Sequence, residues 1–320
     1  MSCYLRGIIG IDNYSKYGPL ARDYDDHSNY NFVYGDCKDV SLMKELASGC
    51  DQIIAGAAMI GGITYFHEHA YDLLAENERI ISSTFDAAID GFKKGRTKKI
   101  TVISSSMVFE SCSIYPSPEE AVLSSPPPLS TYGFQKLATE YFAKGAYEQF
   151  GLPYTIVRPF NYIGTGEGRA LSDKVILSGN VRLAMSHVLP DLAQKVIKGQ
   201  KPLHILGVGD QIRHYTHGKD LARGIRMAME SHKSLNDDFN IRTSRSTSVL
   251  ELAKMVWSEV NGSAPFDFVS DAAYEYDVQK RVPSTDKAER VLGFKTEITL
   301  EQGVKEVVKW IREQIALGKM

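Results

Sequence analysis

The chain is short of net charge, of cysteine and of long apolar runs, and each shortage removes a class of function. Across 320 residues, 37 basic side chains meet 39 acidic ones for a formal net charge of -2. No global field recruits nucleic acid or an anionic membrane. Four cysteines, Cys3, Cys37, Cys50 and Cys112, show neither close metal-ligand spacing nor the density of a disulfide framework, so a reduced cytoplasm fits best. His67 and His69, two residues apart at a helix entry, point in different directions with no acid or thiol cluster to complete a shell, and no metal site is expected. No uninterrupted apolar stretch reaches the roughly 18 residues that span a bilayer, and Met1-Ser2-Cys3-Tyr4-Leu5-Arg6 is not a signal peptide. There is no internal repeat, and the only low-complexity stretch is the short Ser124-Ser125-Pro126-Pro127-Pro128 turn.

What is present is a chain that is 43% hydrophobic, enough for one large core and a smaller lobe. Two neighbouring stretches carry the chemistry. The β-branched run Ile100-Thr101-Val102-Ile103 ends in Ser104-Ser105-Ser106, which reads as a buried strand delivering hydroxyls to the end of a sheet. In Ser130-Thr131-Tyr132-Gly133-Phe134-Gln135-Lys136, Tyr132 and Lys136 are one helical turn apart, so phenol and ammonium share a side. A phenol with an ordinary pKa near 10 is a poor base at neutral pH, but an ammonium one turn away favours the phenolate. With a serine hydroxyl on the same substrate oxygen, such a site takes a proton from a sugar hydroxyl while a hydride leaves its carbon for a nicotinamide. A Tyr-x-x-x-Lys pair alone arises by chance in many helices. Its company decides the reading: the serine-tipped strand lies upstream, and Arg158-Pro159-Phe160-Asn161 closes the next apolar strand.

With these residues in view, the chain resembles the extended short-chain dehydrogenase/reductase family, in its NAD-dependent epimerase/dehydratase branch acting on nucleotide sugars. The likeness also takes in Ile9 to Asn13, Gly35-Asp36, Ala57-Ala58, Asn77, Arg213-His214-Tyr215 and Arg281-Val282-Pro283. The resemblance implies an α/β fold: a Rossmann-type doubly wound parallel sheet, N-terminally truncated or degenerate, over residues 1–163, and a smaller mixed α/β substrate lobe over 164–320, partly interleaved with the first. It implies Ser105, Tyr132 and Lys136 as catalytic residues. It implies NAD held by Asp12, Asn13, Asp36, Cys37, Gly56, Ala57, Ala58, Asn77, Tyr132, Lys136 and Pro159. A nucleotide-sugar substrate would meet Ser106, Asn161, Val188 and the arginines Arg213 and Arg281, whose guanidinium forks suit a diphosphate. A homodimer follows by analogy only.

The start of the chain is its oddest part. Gly7 to Asp12 reads as the second strand of the dinucleotide fold, its acid placed for the adenosine ribose and against a 2′-phosphate. A first strand, glycine-rich turn and helix of about 30 residues should precede it. Three readings stay open: a start assigned too far downstream, lost cofactor binding, or residues 1 to 12 themselves as the first strand with Gly7 and Gly10 as a degenerate turn. Beyond it, strands are expected at Tyr30 to Asp36, Gln52 to Ala55, Thr155 to Arg158, Leu203 to Leu206 and Phe239 to Ile241. Helices are expected at Asp39 to Leu46, about 67 to 94, from Tyr132, from Val188 to about Lys198, from Thr247 and from Leu300 to about Ile315, where Trp310 reads as core. Met59 to Thr64 reads as a loop, as does Pro116 to Pro128 because of its prolines. Gly164 to Gly168 reads as a hinge.

The reaction follows from what stands beside the hydroxyl. Family dehydratases carry an Asp-Glu pair there, and relatives that invert two centres through enolisation place a cysteine where this chain has Met107. Ser106-Met107 offers no titratable group, which disfavours elimination. The expectation is a nucleotide-sugar epimerase most like the 4-epimerases. The alternatives are a dehydrogenase or decarboxylase acting on a nucleotide uronic acid, and a binding protein that has lost its cofactor.

Overall fold

The computed structural model describes residues 7–62, 65, 68–168, 176–178, 181–183, 187–273 and 278–320. Cys3 and the rest of Met1 to Arg6, Ile63, Thr64, His67 and Ser186 lie outside the described residues. Among the described residues no helix is long and apolar enough to cross a membrane.

The parallel architecture expected from the β-branched runs is present, but in two pieces. Strands β1 (Ile8–Asp12) and β2 (Tyr30–Tyr34) pair in parallel, with Ile8 opposite Tyr30 and Asp12 opposite Tyr34. A second parallel sheet runs β3 (Gln52–Ala55), β4 (Lys99–Ile103), β5 (Tyr154–Pro159) and then the Asp237–Ile241 strand, in that spatial order. Because β1 pairs with β2 alone among the described strands, it does not hold the centre of one sheet, the place that residues 1 to 12 would need if they formed the first strand. The division shows in burial. Strand β5 is buried at every position, whereas Ile8 and Ile9 of β1 are 61% and 39% exposed and Ile54 of β3 is 49% exposed. The two sheets still share one helical layer: Ile11 and Ile53 pack in one cluster with Met43 and Ala47 of α1 (Val40–Ala47) and Ala87 of α2 (Ala70–Lys93).

Several helices start where the sequence supplies a side-chain cap. Asp39 accepts from the Ser41 and Leu42 amides at the head of α1, satisfying donors that have no partner within the helix. Helix α2 buries Leu73, Asn77, Ile81, Phe85 and Ala88, a spacing of three and four that turns one stripe toward the sheet. Helix α3 (Thr131–Phe150) starts at Ser130, whose hydroxyl accepts from the Gly133 amide, and ends at Gly151 in the left-handed conformation, φ 78°. Phe85, Ala88, Ala143 and Ala146 meet Ile100, Val102 and Ile156 there in the first core. A second core, of Leu189, Leu252, Trp257, Val304 and Ile311, joins the helices Val188–Ile197, Val249–Asn261 and Leu300–Ala316. Trp310 packs against it. The stretch expected as a plain loop between Pro116 and Pro128 holds a 3₁₀ turn at Glu119–Leu123, five residues that contain no proline.

The deepest polar contact ties α3 to the sheet. Arg158 of β5 is 1% exposed and Glu140 of α3 fully buried. Arg158 Nε and Nη2 donate to the two carboxylate oxygens of Glu140 at 2.7 and 2.8 Å, and Nη2 also reaches Asp238 at 2.6 Å. The Ser104 hydroxyl donates to the same Glu140 carboxylate at 2.6 Å. Burial alone would raise the Asp238 carboxyl, yet Arg158 and Lys287 together hold it below the ordinary value. Arg158→Met leaves Glu140 buried without a counter-charge and is expected to cost about 3–5 kcal/mol. Denaturant unfolding measures this loss, and the double change Arg158→Met with Glu140→Leu is expected to recover most of it.

Candidate active site

The site is assembled where β4 ends and α3 begins. Ser105 is extended and its hydroxyl accepts from the Met107 amide at 3.2 Å, so the chain turns sharply into the 3₁₀ segment Ser106–Phe109. Helix α3 is docked on that segment by Glu110, whose carboxylate accepts from the Ser130 amide and hydroxyl at 2.9 and 2.8 Å. Gly133 makes the approach possible. A β-carbon there would lie 2.6 Å from Pro128 Cβ and 2.9 Å from the Met107 carbonyl oxygen, contacts that side chains do not tolerate.

Tyr132, 5% exposed, is hydrogen-bonded to the Ser105 hydroxyl. Lys136 Nζ stands 6.0 Å from the Tyr132 ring centroid and donates to the Ile103 carbonyl at 3.1 Å. Serine, phenol and ammonium are thus brought together. Their protonation differs from the sequence expectation. Burial pushes the Tyr132 phenol up to about 12, against the Ser105 hydrogen bond and the positive charge of Arg281. Burial likewise pulls the Lys136 ammonium down to about 8. Burial dominates the phenol in this arrangement, because the same dry pocket disfavours the charged form of both groups. Met107, Leu73 and Val278 pack around Tyr132 and supply that dryness.

The residues expected at the cofactor fall into two clusters. At the end of β1, Asp12 accepts from the Tyr14 amide at 2.7 Å and lies 3.9 Å from Arg22, while Asn13 donates to Asp36 at 3.4 Å. Cys37 turns away: its thiol is buried with Ile11 and Met43, and burial pushes it up to about 11. It therefore offers a ligand its backbone only. Gly56 and Ala57 are exposed at the end of β3. Asn77, 2% exposed, donates to the Met59 carbonyl at 2.9 Å and accepts from the Met59 amide at 2.6 Å. Its amide thus brackets the loop that follows Ala58. Pro159 is the buried last residue of β5. The two ends of a dinucleotide fit these groups: an exposed acid with flanking polar side chains for a ribose, and the Tyr132–Lys136 pocket for the nicotinamide half. Among the described residues no glycine-rich turn stands between them for the diphosphate.

On the substrate side, Ser106 is buried beside Ser105. Asn161 takes φ 38° immediately after β5, and its side-chain oxygen is buried without a hydrogen-bond partner among the described residues. Val188 opens its helix. Arg213 is 6% exposed and donates to the Ile212 and Gln279 carbonyls. The Arg281 amide donates to the Ile212 carbonyl at 3.3 Å, which brings the two arginine segments side by side. Sequence reasoning missed one pair. Glu167 accepts from the His187 amide at 2.8 Å and meets its Nδ1 at 2.6 Å. Burial would raise the Glu167 carboxyl, but His187 holds it below the ordinary value. The His187 ring is 6.2 Å from that of Tyr162, whose phenol in turn acts electrostatically on Tyr132. The two residues are 20 apart in sequence, and no motif spacing connects them.

A hydroxyl, a phenol and an ammonium gathered at the carboxyl end of β4, with an acid at the carboxyl end of β1 in the separate parallel pair, are the arrangement of a dinucleotide-dependent enzyme of the Rossmann class. The chain belongs to the NAD dependent epimerase/dehydratase family, which it matches over residues 5–241, and NAD is its cofactor. Among curated proteins it is 25% identical over 264 residues to the putative GDP-L-fucose synthase 2 of Oryza sativa subsp. japonica, covering 81% of this chain and 71% of that one. It is 27% identical over 271 residues to a dTDP-4-dehydro-6-deoxy-D-allose reductase of a Streptomyces species, covering 84% and 76%. Among solved structures, the UDP-glucose 4-epimerase of Thermotoga maritima, bound to UDP-glucose, superposes with a TM-score of 0.77 at 25% identity, over 97% of this chain and 92% of that one.

One consequence of the dry pocket is measurable. The rate constant kcat/KM reports the free enzyme, in which the Lys136 ammonium is lost as pH rises through about 8. A falling limb above that pH is expected, and Lys136→Arg, whose charge persists, is expected to remove the limb even where it lowers the absolute rate.

Proposed function

We propose that the protein is a nucleotide-sugar epimerase most like the 4-epimerases, working by transient oxidation of one sugar carbon and return of the hydride. The observation that supports this reading is the company of Tyr132: a hydrogen-bonded Ser105, a neighbouring Lys136, and at the next position that could carry a second acid the buried, non-titrating Met107. Tyr132 takes the hydroxyl proton of the carbon to be oxidised. Ser105 holds the same oxygen, and Lys136 steadies the phenolate once a substrate has displaced it from the Ile103 carbonyl. Bound NAD supplies the hydride acceptor. Arg213 and Arg281 hold the diphosphate of the substrate, and Asn161 meets the same diphosphate region. The exposed Phe134 and Tyr141, 49% and 62% accessible and two turns apart on α3, support pairing of two copies through that helix. Light scattering at twice the chain mass tests it.

The decisive assay is conversion of a nucleotide hexose to its epimer without net NADH. Tyr132→Phe is expected to lower kcat by about 10²–10⁴, and full turnover by that variant would remove the mechanism.

A second reading is favoured by the Glu167–His187 pair. A carboxylate fixes the imidazole by its Nδ1, leaving Nε2 as a proton carrier on the side of Tyr162. Such a pair suits reduction of a 4-keto sugar with proton exchange at an adjacent carbon, and two curated relatives are a synthase and a reductase by name. Net consumption of reduced nicotinamide together with solvent deuterium on the sugar ring, both abolished in His187→Gln, would establish it over simple epimerisation.

A further inference from the structure

Beside the two arginines expected at the substrate diphosphate lies a third that no sequence motif marked. Arg242 immediately follows the Asp237–Ile241 strand, at the carboxyl end of the sheet where ligands of such folds bind. It is 6% exposed. Its Nη1 donates to the Thr243 carbonyl and to His214 Nδ1, each at 2.7 Å, and its Nη2 donates to the Pro283 carbonyl. Its Nε has no hydrogen-bond partner among the described residues. Asp286 and Glu119 act on it only through space.

The partners of this guanidinium are informative. His214 adjoins Arg213, and Pro283 is two residues past Arg281. The Arg213 and Arg281 segments already touch on one side, where Ile212 bridges Lys280 and accepts from the Arg281 amide. Arg242 joins them on the other. We propose that Arg242 is a positioning residue of the diphosphate clamp, setting the spacing of Arg213 and Arg281 and adding the charge that makes the clamp prefer a diphosphate to a monophosphate. The inference rests on the reading of those two arginines given above.

Three features carry it. The bridge needs a fork: His214 and Pro283 are reached by separate nitrogens of one guanidinium, which a lysine ammonium on a flexible stem does not reproduce. The bridge is also insensitive to pH near neutrality. Burial and the charge of Arg242 pull the His214 imidazole down to about 4, against a contact of its Nδ1 with the Thr243 carbonyl at 3.0 Å, and its Nε2 lies 3.0 Å from the Ser246 hydroxyl, so the ring is neutral near pH 7. Finally, the charge has no ion-paired carboxylate among the described residues and is compensated only through space, by Asp286 and Glu119. Burial draws the guanidinium below the ordinary arginine value, to about 10, which leaves it protonated at pH 7 in a place where an unpaired charge is costly. An anion between Arg213 and Arg281 relieves that cost, and a second phosphoryl group relieves more of it than one.

The test is calorimetric titration of the full chain with UDP, GDP and dTDP and with the matching monophosphates, on wild type, Arg242→Met, Arg242→Gln and Arg213→Met. In Arg242→Met the tightest diphosphate is expected to weaken about tenfold or more and its monophosphate by less than about twofold, as expected for loss of one charge-assisted interaction. In the same variant the His214 imidazole, followed by NMR, is expected to titrate above about 4. Equal losses for both nucleotides, or no loss, would overturn the proposal. Arg242→Gln keeps a donor for the Pro283 carbonyl without the charge, and the same criteria apply to it should the methionine variant not fold. If Arg213→Met weakens the diphosphate while both Arg242 variants do not, only this inference fails. If Arg213→Met is also without effect, or wild type binds none of the nucleotides, the clamp reading fails with it.

Discussion

The buried pair between Glu140 and Arg158 is the contact on which the arrangement of the site depends. It joins the three elements that carry the chemistry: α3 with Tyr132, β5 with Asn161 beyond its end, and, through Ser104, the tip of β4 with Ser105. Glu140 lies eight residues from Tyr132, about 12 Å along the helix at the usual rise. A bidentate contact at that point fixes both the depth and the rotation of α3 against the sheet. Gly133 then settles the other end of the same helix against the Met107 backbone. Held at two points, the helix leaves the phenol little freedom relative to the serine.

The pocket built in this way is dry, and dryness cuts both ways. It disfavours the phenolate and the ammonium separately, as their opposite displacements from ordinary values show. It also strengthens every interaction that a substrate oxygen makes once inside. In the mechanism proposed above, the phenol is therefore no preformed base: it rests neutral beside an ammonium that is present below about 8, and its negative charge would develop only with the reaction. Met107 contributes by what it lacks, since an ionisable group there would carry hydration or charge into the same space.

Much of this was legible in the sequence because it is local. The β-branched runs at Ile100 to Ile103 and Thr155 to Arg158 became parallel strands, buried except at the half-buried Ile103, and the hydroxyl of Ser248 caps the Val249–Asn261 helix in a box with Glu251. Tyr132 and Lys136 fell on one side of a helix because four residues make about one turn. What escaped was long-range. Glu167 meets His187, and Arg242 meets His214 and Pro283 across 28 and 41 residues. A single sequence carries no periodicity that links such positions. The lowered pKa foreseen for Tyr132 was misjudged for a related reason: spacing along a helix reports which side a group takes, not how much water it keeps.

The division of the parallel sheet has a dynamic meaning. Strands β4 and β5 are hydrogen-bonded on both sides, whereas among the described residues the β1–β2 ribbon meets the other sheet through side chains such as Ile11 and Ile53 and through no strand hydrogen bond. Amide protons of the ribbon therefore belong to an opening unit of lower stability than those of the catalytic sheet, and the two exchange with solvent independently. Asp12 sits at the end of the ribbon, and Ser105 and Tyr132 beside the other sheet. If Asp12 meets a ribose, as the resemblance implies, opening of the ribbon bears on that contact and leaves the placement of Ser105 against Tyr132 untouched.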